Sequence, residues 1–277
     1  MNLYKYVSSE DAVKNIIDGK IKFATLESLN DPTELLPRIY EDELLKSLED
    51  KRKNGYNHED LEDLNNQERL FGKLSPETMV ISAPKSIEQA NSIVKLSVYD
   101  NVDYLKKMFD KTVELMSSRC GIFCISTRNN SLPMWAHYAN NASGFVIEFE
   151  DLENEFLGDG TGILNQIKDV DYKLVRSGVT FERGSYHSVF FEKDKDWGYE
   201  SEKRIVVDLA SCTTLQFENG KLFIKEIDKR RISKVIFGWK VTGKKIEKLS
   251  KEIKEINPNI ETVAATIKNG FIEIKSL

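Results

Sequence analysis

Histidine and cysteine are both scarce in this chain, with three of each among 277 residues. Cys120, Cys124 and Cys212 make no even disulfide framework, and Cys120 with Cys124 has no second metal-like pair to complete a zinc site, so buried free thiols are expected. With only His58, His137 and His187 to supply imidazole, a zinc centre would need carboxylate help, and no metal is expected. No apolar run approaches the roughly 18 residues of a membrane-spanning helix, and Met1-Asn2-Leu3-Tyr4-Lys5 lacks the basic-then-apolar layout of a signal peptide. The expectation is a cytoplasmic protein with no membrane partner. Walker and dinucleotide glycine loops are missing, which disfavours P-loop and Rossmann enzymes, and there is no G-x-S-x-G elbow, H-E-x-x-H helix or CxxC pair. Gly158-Asp159-Gly160-Thr161-Gly162 comes nearest to a phosphate loop but lacks the strand–helix context. A formal net charge of −5 argues against a broad nucleic-acid surface, although a local basic patch could coexist with it.

What is present reads as a soluble globular protein, with 40% hydrophobic and 31% charged residues and enough length for a large core. Leu3 to Val7 has strand composition; Ser8 or Ser9 can cap a short helix carrying Ala12, Val13, Ile16 and Ile17; Ile21 to Ala24 is a second strand. Leu29-Asn30-Asp31-Pro32-Thr33-Glu34 favours a turn, with its carboxylates able to line a cleft. From about Glu41 to Ser118 the pattern becomes helical and charge-dense, with loop material near Asn54-Gly55 and from Leu74 to Lys85. Leu105, Met108, Phe109, Thr112, Leu115 and Met116 form a helical core stripe there.

Strand patterning resumes at Gly121 to Ser126, which delivers Ser126 and Thr127 to a loop. Ser131-Leu132-Pro133 starts a helix filled by Met134 to Asn140 and ended by Gly144, and Phe145 to Phe149 is the next strand. Asp169 to Val175, Ser188 to Phe191, Arg204 to Leu209, Lys221 to Glu226 and Lys234 to Phe237 read as further strands. Thr242 caps a helix with Ile246, Leu249, Ile253 and Ile256 on one stripe. Asn269-Gly270 between two strand-like runs signals a type I′ hairpin. Strands and helices intermix without βαβ regularity and without an internal repeat or linker. The expected fold is therefore one α+β domain over residues 1–277, with a mainly antiparallel or mixed sheet and residues 41–118 as a helical insertion or cap.

Two stretches stand out chemically. In Trp197-Gly198-Tyr199-Glu200-Ser201-Glu202-Lys203-Arg204, extended backbone would put Glu200, Glu202 and Arg204 on one face at a strand entrance beside aromatic rings. Spacing alone equally describes, and even favours, an ordinary solvated charge run. In Met134-Trp135-Ala136-His137-Tyr138-Ala139, helical spacing presents two faces, one of which buries Trp135 or Tyr138. His137 could polarise a substrate or serve as a structural hydrogen-bonding group.

Together with Leu3-Tyr4-Lys5-Tyr6 and the Asn30-Asp31-Pro32 block, these two motifs resemble a bacterial family known as domain of unknown function 2971. The resemblance implies that all four blocks belong to one domain. The order of the blocks also resembles the ADP-ribosyltransferase superfamily, which has a basic residue on a first strand, a Ser-Thr position on a second strand before a helix, and a Glu-x-Glu leading into a third. Lys5, Ser126-Thr127 and Glu200-Ser201-Glu202 match that order, with lysine where arginine or histidine is usual.

This resemblance implies NAD as substrate for ADP-ribosyl transfer or hydrolysis, with protein, nucleic acid or water as acceptor. Glu202 would stabilise the oxocarbenium-like transition state and Glu200 would activate the acceptor. Lys5, Tyr4, Tyr6, Ser126, Thr127, Trp135, His137 and Tyr138 would bind the dinucleotide. The alternatives are a non-catalytic module that binds a nucleotide, peptide or nucleic acid, and a nuclease-like effector using His137 with the two glutamates.

Overall fold

A computed structural model describes residues 1–25, 28–29, 31, 38–71, 83–158, 162–218 and 220–277, without the side chains of residues 69–71, 113, 116 and 117. In chain order the elements are β1 (Asn2–Val7), α1 (Glu10–Ile17), β2 (Lys20–Phe23), α2 (Glu41–Asn54), α3 (His58–Phe71), α4 (Ile87–Ile93), α5 (Val102–Arg119), β3 (Cys120–Ser126), α6 (Leu132–Tyr138) and β4 (Phe145–Glu150). These are followed by β5 (Ile167–Asp169), β6 (Asp171–Lys173), α7 (His187–Phe191), β7 (Glu192–Asp194), β8 (Glu202–Asp208), β9 (Thr213–Phe217), β10 (Gly220–Glu226), β11 (Ile232–Phe237), α8 (Gly243–Ile256), β12 (Glu261–Lys268) and β13 (Phe271–Ser276). The fold is α+β. An eight-stranded sheet runs β13-β12-β11-β4-β1-β3-β8-β5 and is antiparallel except where β11 meets β12. Among the described residues, no helix is long and apolar enough to cross a membrane.

Strand alternation sorts the core into two layers. Leu3 and Val7 of β1 face a cluster completed by Val13, Ile16 and Ile17 of α1 and by Leu249 and Ile253 of α8. Tyr6, two residues on from Tyr4, turns the other way and packs with Trp135 of α6, the rings edge-on at 5.5 Å. Between β2 and β3, α2 and α5 build a separate cluster around Leu44, Leu48 and Leu105. Phe109 also reaches the cluster that holds Phe190 and Val206.

The central sheet forks at β3. Near its start, Ile122 exchanges both backbone hydrogen bonds with Ala24, just past β2, at 2.8 Å each. At its end, Ser126 pairs with Tyr4 of β1, the one register pair those strands share. Strands β2, β10 and β9 thereby make a second sheet that departs from β3 on the side where β1 would otherwise continue. Cys124 lies at the point of divergence. Its carbonyl, left without a strand partner on that side, accepts a 2.8 Å hydrogen bond from Lys5 Nζ instead.

Several local expectations change. Ser188 to Phe191 is helical rather than extended; it buries Val189, Phe190 and Phe191 as α7, so packing overrides β propensity. The strand expected from Asp169 to Val175 is two short pieces, β5 against β8 and β6 parallel to β7. Helix α6 stops at Tyr138 rather than reaching Asn140, because Asn140, Asn141 and Ala142 all take positive φ. Ser131 and Thr242 occupy N-cap positions without a side-chain capping bond, and Ser131 Oγ donates to the Tyr199 carbonyl. Ser9 does cap α1, accepting from Ala12 N–H. Asn269 and Gly270, both at positive φ, join β12 and β13 in the expected tight hairpin. Of the Leu29 to Glu34 turn only Leu29 and Asp31 are described; Asn30 and residues 32–34 lie outside the described residues, as do residues 74–82 of the expected loop and Asp159 to Thr161 of the glycine run.

Candidate functional site

The fork opens a small cleft of about 70 Å³, room for roughly two water molecules at liquid density. Three laterally successive strands furnish its walls. Tyr4, Lys5 and Tyr6 come from β1, Cys124, Ile125 and Ser126 from β3, and Glu202 from β8. Glu200, Lys193, Tyr138, Met134 and Leu29 complete the lining.

The Glu-Ser-Glu-Lys-Arg run is not solvated. Glu200 and Glu202 are 3% and 6% exposed and Arg204 is wholly buried, so the solvated reading that spacing favoured is overturned by tertiary contacts. Glu200 ends a 3-10 turn (Lys195–Glu200), Ser201 takes a left-handed conformation, and β8 begins at Glu202. This kink keeps both carboxylates on one side. Backbone bonds pin it: Ser126 Oγ donates to the Glu200 carbonyl at 2.6 Å, and Thr127 N–H donates to the Ser201 carbonyl at 2.9 Å. Glu202 N–H donates to the Tyr172 hydroxyl at 2.8 Å.

Two buried cations answer the two carboxylates. Arg204 grips Glu202 with a fork, Nε to Oε1 at 2.8 Å and Nη2 to Oε2 at 2.9 Å, while its Nη1 donates to the Phe190 carbonyl at 2.7 Å. Lys193, from β7, places Nζ 2.7 Å from Glu200 Oε2 and 3.2 Å from Glu202 Oε2. The same ammonium stands 5.0 Å from the centre of the Trp197 ring. Tyr138 donates its hydroxyl to the other oxygen of Glu200. Burial pushes the Glu202 carboxyl above its ordinary range, with Lys193 pulling the other way. Burial disfavours the charged form of Lys193 too, but Glu202 and Glu200 outweigh it and hold the ammonium above its usual value. Burial lowers the Arg204 guanidinium to about 9, which leaves it cationic at neutral pH. The Cys124 thiol, beside Glu202, is pushed well up by burial and by that carboxylate, so it is a neutral thiol rather than a thiolate nucleophile.

Of the residues singled out from sequence, Tyr4, Lys5, Tyr6, Ser126, Tyr138, Glu200 and Glu202 line the cleft together. Thr127 is exposed on the loop after β3. Trp135 is fully buried, its indole N–H donating to the Asn129 carbonyl at 2.8 Å and its ring 5.4 Å from Trp239. His137 is exposed and stacks on Tyr199, the rings 6.0 Å apart and inclined by 28°, on the outer side of α6. Sequence reading missed Lys193 and Cys124. Lysine in Glu192-Lys193-Asp194 carries no local sign of burial, and Cys124 could have been placed only from its position two residues before Ser126. Among the described residues, no group of His, Cys, Asp or Glu has the proximity to hold a metal ion.

Residues 134–205 match the model of a family described as proteins of unknown function (DUF2971). The matched segment runs from α6 to the first residues of β8. It therefore includes Tyr138, Lys193, Glu200, Glu202 and Arg204, whereas Lys5 and Ser126 lie outside it. No curated protein and no solved structure matched the chain.

Proposed function

We propose that this cleft binds NAD by its nicotinamide–ribose end and cleaves the bond between those two groups, passing ADP-ribose to water or to a macromolecular acceptor. The supporting observation is the convergence of Lys5, Ser126 and Glu202 from three neighbouring strands on one cleft, in the order in which these blocks resemble the ADP-ribosyltransferases. The cleft is smaller than a nicotinamide ring with its ribose, so that end of the dinucleotide would seat at its mouth and the adenylate half would lie outside. Tyr4 and Tyr138 offer aromatic walls to a nicotinamide ring. Lys5 meets a phosphate oxygen as a point charge, without the two-pronged grip of arginine.

In the proposed reaction the glycosidic electron pair leaves with the nicotinamide nitrogen. Glu202 stabilises the positive charge that grows on the ribose, and Glu200, oriented by Tyr138 and Lys193, takes the proton of the attacking water or acceptor hydroxyl. The decisive measurement is nicotinamide released from NAD by the wild type and by Glu202→Gln. The expected loss on substitution is about 100-fold or more, the scale of removing one group that stabilises transition-state charge.

A second reading, a non-catalytic binding module, is favoured by one specific feature. Both oxygens of Glu202 already accept hydrogen bonds from Arg204 and Lys193, which suits a rigid recognition wall as well as a charge stabiliser. NAD binding by calorimetry without nicotinamide release from the wild type would overturn the cleavage reading in favour of this one.

A further inference from the structure

The carboxylates at the cleft floor stand close enough to share one ammonium, and two buried carboxylates so placed do not both stay ionised without compensation. Their neighbours among the described residues come from several elements, Tyr199 of the 3-10 turn included. Of the two acids, Arg204 on β8 bonds to Glu202 and Tyr138 on α6 bonds to Glu200, and Cys124 on β3 and Tyr172 on β6 bring no charge at neutral pH. Lys5 on β1 is directed to the Cys124 carbonyl, and buried Asp31 acts on Arg204. Among the described residues, Lys193 is the one that hydrogen-bonds to both acids. It also comes from outside the strand constellation. It sits on β7, in the two-stranded parallel β6–β7 ribbon, with the Trp197 ring over its ammonium.

We propose that Lys193 is a positioning residue: its buried ammonium, set between Glu200 and Glu202, holds the two carboxylates side by side and ionised at the floor of the cleft. The β6–β7 ribbon then arms the site through the two carboxylates that its lysine holds. Lys193 and Arg204 face Glu200 and Glu202 in the buried cluster, and Arg204 is shared with buried Asp31, so Lys193 is the cation set between the two glutamates. Removing the lysine alone leaves one carboxylate uncompensated, and a buried uncompensated carboxylate takes up a proton. A compact ammonium suits this role better than a guanidinium, which would need a planar fork where the two acids offer one oxygen each. What the carboxylate pair does for catalysis rests on the NAD reading above; its ionisation does not.

Infrared spectroscopy of the ligand-free protein tests the charge claim. Lys193→Met is expected to show the carbonyl stretch of a protonated carboxyl at neutral pH, absent from wild type, with a protonation midpoint raised by at least about one pH unit. The paired variant Lys193→Met/Glu200→Gln removes one charge of each sign. It is expected to fold, as judged by near-ultraviolet circular dichroism, and to lack the band. A Lys193→Met protein without a protonated carboxyl overturns the proposal. So does a paired variant that shows the band or fails to fold, and the paired variant decides the matter if the single one is unfolded. Absence of nicotinamide release from wild type, with the infrared result as expected, defeats the NAD reading and leaves Lys193 in its role. The reverse combination defeats only Lys193.

Discussion

At the scale of single residues, adjacent charges on β7 do opposite jobs because strand side chains alternate. Lys193 faces the cleft, while Glu192 turns away and secures the segment after β6. Its carboxylate accepts from Ser177 N–H at 2.7 Å, from Ser177 Oγ at 2.8 Å and from Lys173. Burial alone would raise the Glu192 carboxyl, but the bonds from Lys173 and Ser177 outweigh it and hold it below the ordinary carboxylate range. A carboxyl with a lowered folded value contributes stability above its unfolded pKa, and that contribution is lost as pH falls through the folded value. Glu192→Gln is therefore expected to cost about 1–3 kcal/mol near pH 7, and the gap to wild type should close below about pH 4.5. Urea unfolding at neutral and acid pH reads this directly; a pH-independent gap would mean that packing, not charge, is what the substitution removes. Glu200 and Glu202 drew notice in the sequence by their spacing before an apolar strand, but that spacing fitted a solvated run better, and Glu200 reaches the cleft from a 3-10 turn rather than by strand alternation. Lys193 was not legible there, since a lysine between two acids has the same local pattern whether solvated or buried, and only the distant Glu200 and Glu202 distinguish the two.

At the scale of elements, chain pattern alone identified what local chemistry controls. The α8 stripe, the Asn269-Gly270 hairpin and the Ser9 cap all depend on residues within a few positions of one another. What it misread depends on contacts distant in sequence: α7 is helical with three consecutive apolar residues buried, and α6 ends early because the chain after it must turn into β4, between β1 and β11. Gly144 fixes that passage. Its N–H donates to the Ala139 carbonyl at 2.8 Å, and its own carbonyl accepts from Gly238 N–H at 3.0 Å. A Cβ on Gly144 would be pressed against the Val7 carbonyl oxygen and would lie 2.8 Å from that of Ala139, both backbone atoms held in structure. Gly144→Ala is expected to destabilise the protein by about 1–3 kcal/mol, the scale of overpacking in a well-filled interior. Gly243→Ala, at the start of α8 where a Cβ meets nothing within 4 Å, is the matched control and should be near neutral or slightly stabilising. Thermal midpoints of the two variants compare them in one measurement; equal midpoints would mean that the backbone around Gly144 yields to a methyl group.

At the scale of the whole molecule, the first strand is the middle of the structure. Strand β1 lies between β4 and β3, contributes Leu3 and Val7 to the main core, and supplies Tyr4, Lys5 and Tyr6 to the cleft. The fork itself was not legible in the sequence. Each strand could be read from its own composition, but the change of partner along β3, from Ala24 to Tyr4, exists only in the pairing register. A sheet built this way should respond very differently to loss of its two chain ends. Removing residues 1–19 takes out a central strand together with α1, leaving β4 and β3 with unpaired edges and the Val13, Ile16 and Ile17 face of the core empty. Removing residues 270–277 takes away only the edge strand β13, whose Phe271 is already 72% exposed, and passes the edge to β12. The first truncation is expected to abolish the cooperative heat-absorption peak in scanning calorimetry; the second should keep it at a lower midpoint. If the first retained a peak close to that of the full chain, the halves of the sheet on either side of β1 would be independent folding units. The cleft between β1 and β3 would then be a junction of two bodies rather than a fork within one.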